Sequence, residues 1–170
     1  MKYKLSDAAN IAEIIGAIAI IFSLVFVGAQ LQKNTVATRS ASAIAVADSM
    51  SQWYSNLGSN EKNSNMFRNF MADPNSLSEE QRFQVIMNFH AVMLILQNNY
   101  YLAKEGTLDP EVKNSISESI VVLKDSLGWK KYWRTRRALF LTGFQGYVDT
   151  LISVDRKVSS EIYKSVDAIE

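Results

Sequence analysis

From Ile11 to Ala29 the chain reads IAEIIGAIAIIFSLVFVGA, nineteen residues with a single charge, Glu13. At about 1.5 Å per residue, a helix of this length reaches roughly 28 Å, close to the hydrocarbon thickness of a bilayer. Three destinations suit such a segment: a membrane span, a cleaved signal peptide or a buried core helix. Lys2 and Lys4 precede it, and Val27-Gly28-Ala29 offers the small residues that a signal peptidase accepts. The stretch is nevertheless longer than a typical signal core, Asp7 and Glu13 sit where signal peptides are basic or neutral, and no helix breaker precedes the cut point. The preferred reading is an uncleaved transmembrane helix.

Composition bounds the remainder. The chain has 170 residues, and subtracting a span and a tail leaves roughly 110 to 140 for one domain with a single core. The mean hydropathy of −0.04 averages one very apolar segment with an ordinary polar remainder. With 18 basic against 17 acidic side chains, no long-range field recruits nucleic acid. The absence of cysteine excludes disulfides, thiolate nucleophiles and Cys-ligated zinc, and leaves the compartment open.

Helices should dominate, because Pro74 and Pro110 are the only prolines and strict polar/apolar alternation is nearly absent. Ser6-Asp7 suits a helix start. No Gly or Pro occurs from Gln30 to Leu57, so the first helix should run on beyond the bilayer, with Ala43, Ala47, Met50, Tyr54 and Leu57 as an apolar face in need of a partner. Leu57-Gly58-Ser59-Asn60 reads as its stop and Asn60 to Asn65 as a polar loop. A short helix over 65–71 should end at Asp73-Pro74. Ser78 to Gln81 has the form of a capping box, opening a helix to about Glu105 that closes at Gly106, with 91–96 apolar on every side.

Asp109-Pro110-Glu111 restarts a helix, expected to reach Leu127 and to bury Val112, Ile116, Ile120 and Leu123, with Gly128 as its stop. The next helix is expected from Trp129 toward Ile152, with Trp129, Trp133, Phe140, Phe144, Tyr147 and Leu151 on one stripe and Gly143 and Gly146 as possible interruptions. A final amphipathic helix follows from the spacing of Val158, Ile162, Val166 and Ile169.

The usual apparatus of chemistry is missing. There is no phosphate loop, no His-Glu-x-x-His, no Gly-x-Ser-x-Gly and no pair of carboxylates in an apolar setting. His90, the lone histidine, shares a helical face with Ile86, Leu94 and Gln97, which suits a core imidazole bonded to Gln97 or to a facing side chain better than a ligand or base. Lys130, Lys131, Arg134, Arg136 and Arg137 alternate with Trp129, Tyr132 and Trp133. The aromatics should face the core and the bases fan outward. Arg136 and Arg137 would pair with acids such as Glu105, Asp109 or Asp125, while Lys130, Lys131 and Arg134 are candidates for contact with lipid headgroups.

Within the apolar segment Ala12, Gly16, Ala19 and Ser23 form a small-residue stripe that continues to Gln30. In lipid such stripes let helices approach closely, so self-association is the expected use. In a closed ring the same residues would line a conduit with Glu13 at its mouth, and repeated carboxylates there would favour cations.

The segments Ile11-Ala12-Glu13-Ile14 with Gly16, Ser23 to Val27, Gln30-Leu31 and Asn34-Thr35 resemble the opening of a large group of uncharacterised bacterial proteins with one N-terminal span and an all-α domain. Asn98, Tyr100-Tyr101, Gly106 and Leu108-Asp109 resemble that group's middle motif. Tyr132-Trp133, Arg136-Arg137, Phe140, Phe144 and Tyr147-Val148 resemble its C-terminal motif. The resemblance covers nearly the whole chain and carries no activity. It departs from the group at Gln32 and Val36, where arginine is usual, and at Gln97, where an acid is expected. Charges flanking the span are nearly balanced, Lys2 and Lys4 against Lys33 and Arg39, and the resemblance implies a cytoplasmic C-terminal domain.

The expectation is therefore an all-α protein: residues 1–32 as N-terminal tail and transmembrane helix, and residues 33–170 as a helical-bundle domain that includes the extension of the first helix. The expected function is that of a homo-oligomeric single-pass protein of a bacterial inner membrane, a scaffold or a cation pore, with a membrane-anchored sensor or interaction domain as the alternative. No catalytic residue, cofactor, metal, nucleic-acid partner or small-molecule substrate is expected; its partners are its own copies and membrane lipid.

Overall fold

The computed structural model describes residues 5–155. Every regular element among them is helical: α1 (Leu5–Gly58), α2 (Glu61–Ala72), α3 (Glu79–Lys104), α4 (Pro110–Leu123), α5 (Leu127–Arg136) and α6 (Thr142–Ile152). The chain divides into two compact units, Met1–Ser40 and Ala41–Glu170. α1 belongs to both. It already includes Leu5, one residue ahead of the expected Ser6 start, and it runs unbroken to Gly58, as the lack of breakers after Gln30 requires.

In the first unit α1 is long and apolar enough to cross a membrane, and none of its most apolar stretch is buried. Ile14, Ile15, Ile20, Phe22 and Val27, which point in different directions around the helix, are all exposed.

The second unit has its own core. The face that α1 turns into it is Val46, Met50, Trp53 and Leu57, rotated from the expected stripe: Ala47 and Tyr54 are exposed. Trp53 decides the rotation, since its large apolar body goes inward while its indole N–H donates to the Asn88 side-chain oxygen at 3.0 Å. Asn60 caps α2, its side chain accepting the Asn63 N–H, so the expected loop over 60–65 is the first turn of a helix that begins at Glu61. α2 ends at Asp73, whose carboxylate caps a 3-10 turn at Pro74–Ser76. The capping box at α3 is complete in both directions, with Ser78 and Gln81 each accepting the other's backbone N–H. Gly106, at φ 72°, makes the turn that ends the α3 region. Midway along α3, Val92, Met93 and Leu96 are buried while Ala91 and Leu94 are exposed, so this helix has an outer face where the sequence suggested none.

Two further expectations fail for tertiary reasons. α4 stops at Leu123 rather than Leu127, and Ser126 caps α5 by accepting the Trp129 N–H at 3.2 Å. Gly128 is thus inside α5, where the Phe70 carbonyl of α2 lies against its backbone. The expected helix from Trp129 to Ile152 is broken by a 3-10 turn at Arg137–Leu139 and an extended Phe140. Side chains take up backbone groups at the break: Gln145 donates to the Phe140 carbonyl at 2.7 Å and Gln97 accepts the Leu141 N–H at 2.7 Å. The aromatic stripe survives the break, with Trp129, Trp133, Phe140 and Phe144 buried and Tyr147 and Leu151 packed beside them. Of α4's expected core positions, Ile120 and Leu123 are buried and Ile116 is partly so. Val158, Ile162, Val166 and Ile169, the expected final helix, lie outside the described residues.

α2 packs on α3 and α5, and α4 on α3 and α6. At the centre is a chain of rings: Phe67, Phe89, Trp129 and Tyr132 meet edge to face at 4.6–6.0 Å, and Trp129, Trp133 and Phe140 stack at 5.7 Å.

Candidate functional site

The small-residue stripe lies on α1 as the spacing requires. Ala12, Gly16, Ala19, Ser23 and Gln30 follow one another at four-, three-, four- and seven-residue steps, and all are exposed, as is Glu13. A Cβ added at Gly16 would meet nothing within 4 Å among the described residues.

In the basic cluster the partition between core and solvent is as expected. Trp129, Tyr132 and Trp133 are buried, while Lys130 and Arg134 are exposed and line an open groove with Lys131, Asp73 and Asn75. Lys131 donates to the Asn75 side-chain oxygen at 3.1 Å. Arg137, in contrast, pairs with none of the acids proposed for it. Its guanidinium grips Asp149 of α6, Nη2 to Oδ2 at 2.6 Å and Nε to Oδ2 at 3.1 Å, and Trp133 donates its indole N–H to Oδ1 of the same carboxylate at 2.9 Å. The guanidinium, with help from the indole, holds the Asp149 carboxyl below its ordinary pKa. This node fixes α6 against the break after α5, which is a structural role. Sequence reading missed it because Asp149 sits twelve residues away, across the break.

His90 is half-buried and takes a facing side chain as partner: its Nδ1 is 2.7 Å from the Tyr132 hydroxyl, and its ring is 5.0 Å from that of Phe140. Burial first, and then the nearby positive charge of Arg136, lower its pKa below the ordinary value; burial raises that of Tyr132. A base whose folded-state pKa is depressed stabilises the fold fully above its unfolded value near pH 6.5, and that contribution is lost as pH falls through the folded value. The melting temperature is therefore expected to drop between pH 7 and pH 5 more steeply for the native protein than for His90→Gln, which keeps a partner for Tyr132 and does not titrate. Parallel melting curves for the two proteins across this window would contradict the assignment.

Asn99 is 1% exposed, and neither amide atom has a partner among the described residues. An unmet polar group of this kind costs about 1–3 kcal/mol. No group of three or more His, Asp or Glu side chains suited to a metal occurs among the described residues. A cavity of about 410 Å³ opens between the end of α1, α2 and α3, with a floor of Met66, Phe67 and Val85.

Comparison with known proteins gives no relative: no family model, no curated protein and no solved structure matches this chain.

Proposed function

We propose that the protein is a single-pass membrane protein in which the apolar segment of α1 anchors a self-associating helical-bundle scaffold, with the domain that follows on the cytoplasmic side of a bacterial inner membrane. One observation carries this reading. A helix apolar around its whole circumference over Ile11 to Ala29 leaves every one of those side chains exposed, and water would not tolerate that surface on a monomer. Lipid satisfies it, and the face of Ala12, Gly16, Ala19, Ser23 and Gln30 suits packing against further copies. Glu13 then sits at the headgroup level, near the positive end of the helix. In this reading Lys130, Lys131 and Arg134 are candidates for lipid contact. Enzymatic chemistry is not part of the proposal, since no nucleophile-base pair supports it.

A second reading, an anchored sensor or interaction domain, is favoured by the core of the second unit. That core is built from residues of the second unit, from Val46 onward, so the span need do no more than tether. Both readings require the full chain to stay in the membrane pellet after alkaline carbonate washing; release would overturn them together. Mass measurement in lipid nanodiscs separates them. Oligomers that Gly16→Leu and Ala19→Leu dissociate are the expected result for the scaffold, whereas a monomer at every concentration leaves only the tether. Conductance in a planar bilayer would extend the scaffold to a pore, selective for cations if Glu13 rings its mouth.

A further inference from the structure

The cavity between α1, α2 and α3 has a polar rim of Asn60, Lys62, Asn63, Gln84 and Asn88. Asn88 is half-buried there, and its side-chain oxygen is committed to the indole N–H of Trp53 at 3.0 Å. Because an indole nitrogen only donates, this bond fixes which end of the amide is oxygen and leaves Nδ2 to face other partners. Asn60 is fixed in the same manner, its oxygen accepting the Asn63 N–H at 3.2 Å as the cap of α2. Neither Nδ2 has a protein acceptor among the described residues. Lys62 also lines the cavity and has no ion pair among them, Asn63 and Gln84 complete the polar lining, and no carboxylate is part of it; Glu61, next to Lys62 in the chain, is outside it.

The orientable groups with a settled direction are thus all donors, one of them cationic, set around an apolar floor of Met66, Phe67 and Val85. A volume of about 410 Å³ is in the range of small-molecule sites. We propose that this cavity binds a small monocarboxylic acid with an apolar body, the carboxylate received by Lys62 and the amide nitrogens of Asn60 and Asn88, and the body resting on Phe67 and Met66. An ammonium of the same shape has no acceptor and would leave these donors unmet. The site lies wholly in the second unit and does not rest on the membrane reading.

The test is calorimetric titration of the full chain in phosphatidylcholine nanodiscs with phenylpropionate, empty nanodiscs being subtracted, alongside the matched cation phenylpropylamine. Asn88→Asp keeps an acceptor for Trp53 and places a negative charge at the rim. Lys62→Gln removes the cation at an exposed position with little risk to the fold. Saturable binding of the acid, weakened about tenfold or more by either substitution, and no binding of the amine are expected, a charge-assisted hydrogen bond being strong enough for that change. Absence of saturation above empty nanodiscs, equal binding of acid and amine, or native affinity in Lys62→Gln would each overturn the proposal. Should Asn88→Asp fail to fold, Lys62→Gln and the acid-amine pair still decide it.

Discussion

Gly128→Ala is expected to destabilise the helical domain by about 3 kcal/mol, although alanine is normally the better helix former by about 1 kcal/mol. An added Cβ would collide with the Phe70 carbonyl oxygen and lie 2.8 Å from the Met71 Cα. These are backbone atoms of α2, which cannot swing aside as a side-chain tip can, so α2 and α5 must separate. Gly146→Ala serves as the contrast. Gly146 is inside α6, and a Cβ there meets nothing within 4 Å, so the same substitution should stabilise by up to about 1 kcal/mol. Denaturant titration followed by tryptophan emission reads both variants, because Trp53, Trp129 and Trp133 are all buried in the domain and none lies in the apolar segment of α1. A neutral or stabilising Gly128→Ala would mean that α2 and α5 are not held at this distance.

Phe89→Ala should cost about 4 kcal/mol, the range for removing a buried aromatic ring from a packed core. Phe89 is 1% exposed, and its ring meets those of Phe67 at 6.0 Å, Trp129 at 5.6 Å and Tyr132 at 4.6 Å, so one side chain joins α2, α3 and α5. The loss should appear in the same titration as an earlier midpoint, with the native-state emission shifted to the red as Trp129 gains solvent. A change under about 1 kcal/mol would place the centre of the core elsewhere.

The comparison between the two variants bears on how the fold is encoded. The helix that carries Phe89 is legible in the sequence from its capping box at Ser78 and its apolar centre at 91–96, although Phe89 itself lies just outside that stretch. Gly128 reads in the sequence as a helix stop, since a glycine after a leucine ordinarily is one. The signal that contradicts that reading was present in Ser126, three residues before Trp129, where a cap belongs. Choosing between the two requires knowing that the α2 backbone passes beside the glycine, which no local pattern contains.

The same division runs through the candidate site. The stripe from Ala12 to Gln30 was legible because helical spacing alone puts those residues on one face. The partners of Arg137 and His90 were not: Asp149 reaches Arg137 only because the chain breaks at Arg137–Leu139, and Tyr132 meets His90 from a different helix, 42 residues on. The donor rim of Asn60, Lys62 and Asn88 was equally invisible, as carboxamides are common and that of Asn88 is oriented by Trp53 from a different helix.

By itself, then, the sequence determined that the protein is helical, that one long apolar helix opens it, and where caps, prolines and Gly106 begin or end most elements. These are local matters, settled by propensity, periodicity and the hydrogen bonds of a few neighbouring residues. Only the tertiary structure decided which way α1 turns its inner face, that α3 keeps an exposed side, and that the last aromatic stripe is carried by two helices instead of one. Those outcomes depend on close packing and on backbone groups finding partners from distant segments, and both are properties of the assembled core.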